Sequence, residues 1–299
     1  MHPTVVVLTL SAVLFGLAAC GSAALPSASP TPPPGSTRPE AAPLPAATAH
    51  PTDGLTPIAT PSPADPWRAS GPDKLPALPP LDPTLVTHGD RSLPAIALTF
   101  DACQTVDEPT GYDEAIIKIL TDTGTPATLF LGGLWMQWHA TQTRALAANP
   151  LFELGNHSWG HPDFTKISPA AMSAEILQTQ AIMANLAGRQ PALFRFPYDV
   201  YTDKALAVVG EQGLRAVEGD IITGDPDPRT SAQAIVETVT TQAHGGSIVF
   251  MHMNGRGWHT AEALPVIIKQ LRAKGYTFVT VSQLLGLAPL PTPVVRKED

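Results

Sequence analysis

From about residue 92 to residue 286, short apolar runs alternate with longer stretches whose apolar positions recur every three to four residues. The runs at 96–100, 127–131, 152–154, 192–196, 214–217, 247–251 and 277–281 are rich in β-branched and aromatic residues and short, so each is expected to be a strand. Between them the pattern predicts helices over 112–121, 168–186, 205–212, 231–242 and 260–273. Ile116, Ile117 and Leu120 share one face of the first. Ser168 followed by Pro169 marks the start of the second, because a serine oxygen caps an orphan N–H and proline forfeits no helical bond at the first position. About seven strand–helix units in succession predict an α/β fold with a parallel sheet, open or closed into a barrel.

A parallel barrel delivers every strand's C-terminal end to one rim, where chemistry collects. The first strand ends "LTFDAC" on Asp101. The third runs into "GNHSWGHPDF", with His157 and His161, and the fourth into "RFPYD", with Arg195 and Tyr198. The fifth is followed by "GDIITGDPD", with Asp220 and Asp225, and the sixth reaches His252. Taken singly, each has a plain reading: a solvated strand end, two loop histidines, a surface ion pair, turn aspartates beside glycine and proline, a satisfied core histidine. Five strands in seven aiming reactive side chains at one rim make a shared site the better reading. His157 and His161 have a spacing that lets two imidazoles meet one metal. Gly155, Gly160 and Pro162 put them on a loop, and Ser158 stands where a metalloprotease helix needs glutamate.

The remaining sequence has a different character. Of 33 prolines, 19 precede residue 90, and residues 21–90 are built from Pro, Ala, Ser and Thr without apolar periodicity. That composition predicts an extended linker. Residues 1–20 carry an apolar run from Val5 to Ala19, the length of a signal-peptide core, and end "LAAC", which resembles a bacterial lipobox with Cys20 as the lipidated residue. The expected order is therefore a signal peptide over 1–20, a linker over 21–90, a catalytic domain over 91–286 and a loose tail over 287–299. Cys103 is the one other cysteine, so with Cys20 lipidated no intramolecular disulfide forms. A net charge of −8 argues against nucleic acid as a partner. The protein is expected to be a monomer on the outer face of the membrane, or soluble outside it.

The series Thr99-Phe100-Asp101, His157-Ser158-x-x-His161, Arg195-x-Pro197-Tyr198, the Asp220/Asp225 segment and Phe250-x-His252 resembles the polysaccharide deacetylase family, the NodB-homology domain of carbohydrate esterase family 4. The resemblance covers residues 94–285. It implies a distorted (β/α) barrel that removes N- or O-acetyl groups from chitin-like polymers or peptidoglycan with a divalent metal, zinc in first place. It further implies His157 and His161 as metal ligands, Asp101 as general base, Arg195 as its orienting partner and His252 as general acid. A backbone N–H near Tyr198 would face the oxyanion, and Asp225, in preference to Asp220, would hold His252 charged. The chain departs from the family at Ala102, where a second aspartate usually supplies the third ligand, and at Asp199, where glycine is usual. Cys103, Asp107, Glu108 or water are the alternatives for that ligand, although Cys103 lies off the family's ligand position. A metal-independent amidohydrolase on the same fold, or a non-catalytic glycan-binding lipoprotein, are the alternative functions. Trp135, Trp138 and Trp159 are candidate surfaces for sugar rings.

Overall fold

The structure is a computed structural model that describes residues 76–290; the expected signal peptide, Cys20, most of the expected linker and the last nine residues lie outside the described residues. Nine strands form one sheet in which every ladder is parallel: β1 (Leu85–Val86), β2 (Ala95–Ala102), β3 (Ala127–Leu131), β4 (Phe152–Asn156), β5 (Leu193–Phe194), β6 (Arg215–Val217), β7 (Ile221–Ile222), β8 (Ile248–His252) and β9 (Thr277–Phe278). Their order is β1-β6-β5-β4-β3-β2-β8-β7, with β9 also against β2. Among the described residues no ladder joins β1 to β7, so the distorted (β/α) barrel is open there. The helices are α1 (Glu114–Asp122), α2 (Gly133–Trp138), α3 (Ala140–Ala148), α4 (Pro169–Ala187), α5 (Asp203–Glu211), α6 (Ala232–Gln242), α7 (Thr260–Ala273) and α8 (Val281–Leu284).

The central strand shows how the layers arise. All eight residues of β2 are buried, as a strand covered on both faces requires. Ile96, Leu98, Phe100 and Ala102 join a core with Ile116 and Leu120 of α1 and Leu264 and Ile268 of α7. Ala95 and Ala97 point the other way, into a smaller interior cluster with Phe130, Leu193, Val217 and Ile248. Thr99 and Asp101 continue that inward face by the two-residue period of a strand.

Three departures from the sequence pattern have local causes. Residues 76–90, expected to be linker, belong to the folded unit. Leu85 and Val86 pair with Ala216 and Val217 of β6, His88 bridges to Ser247, and Leu78 packs against the cluster around Phe194 and Phe196. A few apolar residues among many prolines suffice because a ready-made sheet edge receives them. The strand expected over 277–281 stops at Phe278, since Thr280 and Gln283 form a capping box that starts α8. Helices α2 and α3 occupy a stretch whose apolar pattern is weak; Trp135 anchors it, fully buried, with Nε1 donating to Gly111 O at 2.9 Å.

Candidate active site

Parallel register brings the inward residues of three strands together. Asp101 is opposite His252 on β8 and Phe130 on β3, and Thr99 is opposite Phe250. Arg195, the first residue after β5, fills the space between them and is fully buried. Its guanidinium carbon sits 4.1 Å from the Phe130 ring centre and 4.4 Å from that of Phe250. One terminal nitrogen donates to both Asp101 Oδ1 and Thr99 Oγ1 at 2.8 Å, and Nε donates to Val217 O at 3.3 Å. A buried charge on this scale persists only when it is paired and stacked, as here.

Asp101 is itself buried. Burial works to raise its pKa, but the Arg195 charge, with smaller help from His157 and His252, overcomes that and lowers it. The carboxylate is thus ionised, and only one oxygen is committed to Arg195. Oδ2 has no hydrogen-bond partner and lies 3.3 Å from His157 Nε2.

The two loop histidines sit on a tightly held turn. Asn156, the last residue of β4, accepts from Ser158 N at 2.9 Å, and Glu175 of α4 accepts from Trp159 N and Gly160 N at 2.9 and 2.8 Å. Ser158 and His161 have left-handed backbones (φ 62° and 59°), strain that this stapling maintains. His157 Nδ1 is 2.9 Å from Arg195 O. A carbonyl only accepts, so Nδ1 carries the proton, and in the neutral ring Nε2 presents a lone pair to the site. Burial lowers the pKa of His157. Burial, and then His157, push that of His161 down to about 3. His161 packs edge-on against Tyr198, ring centres 4.5 Å apart. Tyr198 is 60 % exposed, and its own φ of 63° sets it at the rim.

His252 is biased in the opposite direction. Asp225 contacts it twice, Oδ1 with Nδ1 at 2.9 Å and Oδ2 with the backbone N at 2.8 Å, while Thr260 Oγ1 donates to Asp225 Oδ2 at 2.7 Å. Burial disfavours the imidazolium, but the hydrogen bond and charge of Asp225, then the charge of Asp101, raise its pKa. Asp220 plays no part here: it pairs with Arg91 at 2.8 Å and accepts from Ser247 Oγ and Ile248 N.

Cys103 is also brought to the rim. Its Sγ and one ring nitrogen each of His157 and His161 lie within 4.8 Å of one another. Asp107 is exposed, and Glu108 is held by Arg256 at 2.6 Å. Of the tryptophans proposed as sugar platforms, Trp135 is excluded by its burial, and Trp159 packs partly against the core beneath α2. Glu218, directly after β6, was missed. It is buried, accepts from Phe196 N at 3.0 Å and leaves Oε2 3.8 Å from Arg195 Nε; burial raises its pKa well above the carboxylate range despite Arg195. Its place one residue past a strand end, before Gly219 and Asp220, was the signal available in the sequence.

The comparisons with known proteins bear on family and fold. The family model for polysaccharide deacetylase matches residues 88–217. The chain is 34% identical over 202 residues to the peptidoglycan-N-acetylmuramic acid deacetylase PdaC of Bacillus subtilis, covering 65% of this chain and 39% of that protein. It is 29% identical over 197 residues to a chitin deacetylase of Pestalotiopsis, covering 64% of this chain and 63% of that protein. It therefore spans less than two thirds of either relative. Among solved structures, the Bc1960 peptidoglycan N-acetylglucosamine deacetylase superposes with a TM-score of 0.63 at 27% identity, over 68% of this chain and 92% of that one. The structure of PdaC from Bacillus subtilis gives a TM-score of 0.56 at 31% identity, over 65% and 91%. With the fold, the motif order and these matches together, the chain belongs to the polysaccharide deacetylase family.

Proposed function

We propose that the protein hydrolyses acetyl groups, N-acetyl above all, from amino-sugar glycans of the cell envelope such as peptidoglycan or a chitin-like polymer. The observation that carries this reading is the pairing of Asp101 and His252 at one register position of β2 and β8, the first ionised and the second biased towards its charged form. A base and an acid side by side are what amide hydrolysis needs, because the attacking water must lose a proton and the departing amine must gain one.

The donor set of His157 and His161 suits a divalent metal: His157 presents a bare Nε2, and burial keeps the proton affinity of both rings low. Zinc held there would polarise the acetyl carbonyl and make water more acidic. The steps themselves fall to the protein. Asp101 Oδ2 takes a proton from water as its oxygen bonds to the acetyl carbon, while Arg195 keeps Oδ1 fixed. The backbone N–H at Tyr198 donates to the oxygen as it gains charge. His252 then gives its proton to the sugar nitrogen as the C–N bond breaks. Acetic acid and a free amine leave, the acid losing its proton to solvent; Asp101 releases its proton and His252 takes one up, which restores the starting charges.

The test is acetate release by the full chain from acetylated chitooligosaccharide and from peptidoglycan, with and without chelator. Release that chelator abolishes and zinc restores is the expected result. Release indifferent to chelator would favour a metal-independent amidohydrolase, and none under any metal would favour a glycan-binding protein. The same reading sets the domain outside the cell through a lipid on Cys20, a placement that rests on the sequence motif. Among the described residues no helix is long and apolar enough to cross a membrane. Cys20→Ala should shift the protein from the membrane fraction to the soluble one.

A further inference from the structure

We infer that Cys103 supplies the third protein ligand of the metal centre, making it a thiolate–bis-imidazole site; the inference rests on the metal-assisted reading above. The strand period gives the first reason. Thr99 and Asp101 face the barrel interior, Ala102 is fully buried in the core beneath the helices, and Cys103 returns to the inward side one residue past β2. A ligand at 103 thus follows the alternation that delivers the base.

The three donors converge on one point. Among the described residues, Cys103, His157 and His161 are the group able to hold a metal ion. A tetrahedral zinc site has donor–donor edges of about 3.3–3.7 Å, so three donors already within 4.8 Å need only a small contraction. An independent pointer to a cation is the approach of Asp101 Oδ2 to His157 Nε2. Two lone pairs face each other at 3.3 Å in a buried site, and Oδ2 has no hydrogen bond. A positive charge nearby removes that repulsion.

The position of Cys103 is built rather than incidental. Its carbonyl accepts from Thr110 Oγ1 at 2.7 Å and Asn254 Nδ2 at 2.8 Å, and the same amide lies 3.8 Å from Sγ. Without a metal, burial and then the Asp101 charge push the Cys103 thiol up to about 12, so the metal itself has to displace the proton. Gly132 stands behind it: a Cβ there would come within 3.3 Å of Cys103 Cα. When the metal binds, the sulfur–metal bond replaces the S–H bond, the proton passes to solvent, and nothing is oxidised or reduced. Sulfur among the donors should favour zinc, cobalt and cadmium over magnesium, calcium and manganese.

The experiment is a cobalt titration of the full chain with Cys20→Ala as the wild-type reference, which leaves Cys103 as its one thiol, read by absorption, with acetate release measured on the same samples. The wild type should bind one cobalt and show a near-ultraviolet thiolate-to-cobalt charge-transfer band. Cys103→Ser should lose the band and bind cobalt at least about a hundredfold more weakly. Cys103→Asp should lose the band yet bind more tightly than the serine variant. One cobalt bound by the wild type without the band, equal affinity in wild type and Cys103→Ser, or no cobalt bound by the wild type would each overturn the assignment. The wild-type spectrum decides even if a variant misfolds. The band without acetate release would overturn the deacetylase reading and leave the ligand in place; acetate release without the band would do the reverse.

Discussion

The bias of His252 towards its charged form comes chiefly from Asp225. Asp225 is buried, and its two oxygens are shared among the His252 ring, the His252 backbone and Thr260. Removing its charge in Asp225→Asn should lower the pKa of His252. An acid works only while protonated, so the alkaline limb of kcat/KM moves to lower pH, and the rate falls by roughly 10²–10⁴. A pH–rate profile checks both. Gly257, itself buried, is the other tight point around this pair, because a Cβ there would meet His252 O at 2.4 Å and Thr260 Oγ1 at 2.7 Å. Gly257→Ala should cost about 1–3 kcal/mol, measured by denaturant unfolding, with a matching loss of activity. The sequence singled out Asp101, Arg195 and His252 as candidates because each lies at or just past the end of a strand, where pattern and chemistry coincide. It did not separate Asp220 from Asp225, since that depends on how the loop after β7 folds back over His252. Nor could spacing reveal that Glu218 would lie beneath Arg195, or that Trp135 would face inward.

Elements place these residues through register and through contacts from outside the sheet. Helix α4 is the clearest case. It is capped by Ser168, as the sequence predicts, with Oγ accepting from Ala171 N at 3.3 Å, and it ends at left-handed Gly188. What the sequence does not show is that Glu175, midway along it, holds the turn carrying His157 and His161. Glu175→Ala should leave the fold intact by circular dichroism but weaken metal binding by about 10–100-fold in competition with a chelator. The long strands were legible because both faces are buried and apolar. β1 and β7 were not, since β1 lies in the proline-rich segment and the two isoleucines of β7 stand between Asp220 and Gly224 outside any longer apolar run.

At the scale of the whole molecule, the open side of the barrel is where residues 76–90 matter. They run along α5 and β6, where Leu81 N donates to Gly210 O at 2.9 Å, and Val86 O accepts from Glu218 N at 2.9 Å, tying the segment to the residue beneath Arg195. A chain starting at residue 91 should therefore be less stable than one starting at residue 76 by on the order of 3 kcal/mol, from the partly buried Leu78, Leu85 and Val86. That corresponds to a melting midpoint roughly 5–10 °C lower, readable by calorimetry. The proline-rich composition hid this boundary, because a few apolar side chains docking on an existing sheet need no pattern of their own.

The decisive measurement is acetate release from N-acetylated chitooligosaccharide and peptidoglycan by zinc-loaded wild type and Asp101→Asn side by side. Steady release by the wild type that falls at least about a hundredfold in Asp101→Asn is the expected result. Equal release by both proteins, or none by the wild type on either substrate, would contradict the Asp101–His252 mechanism.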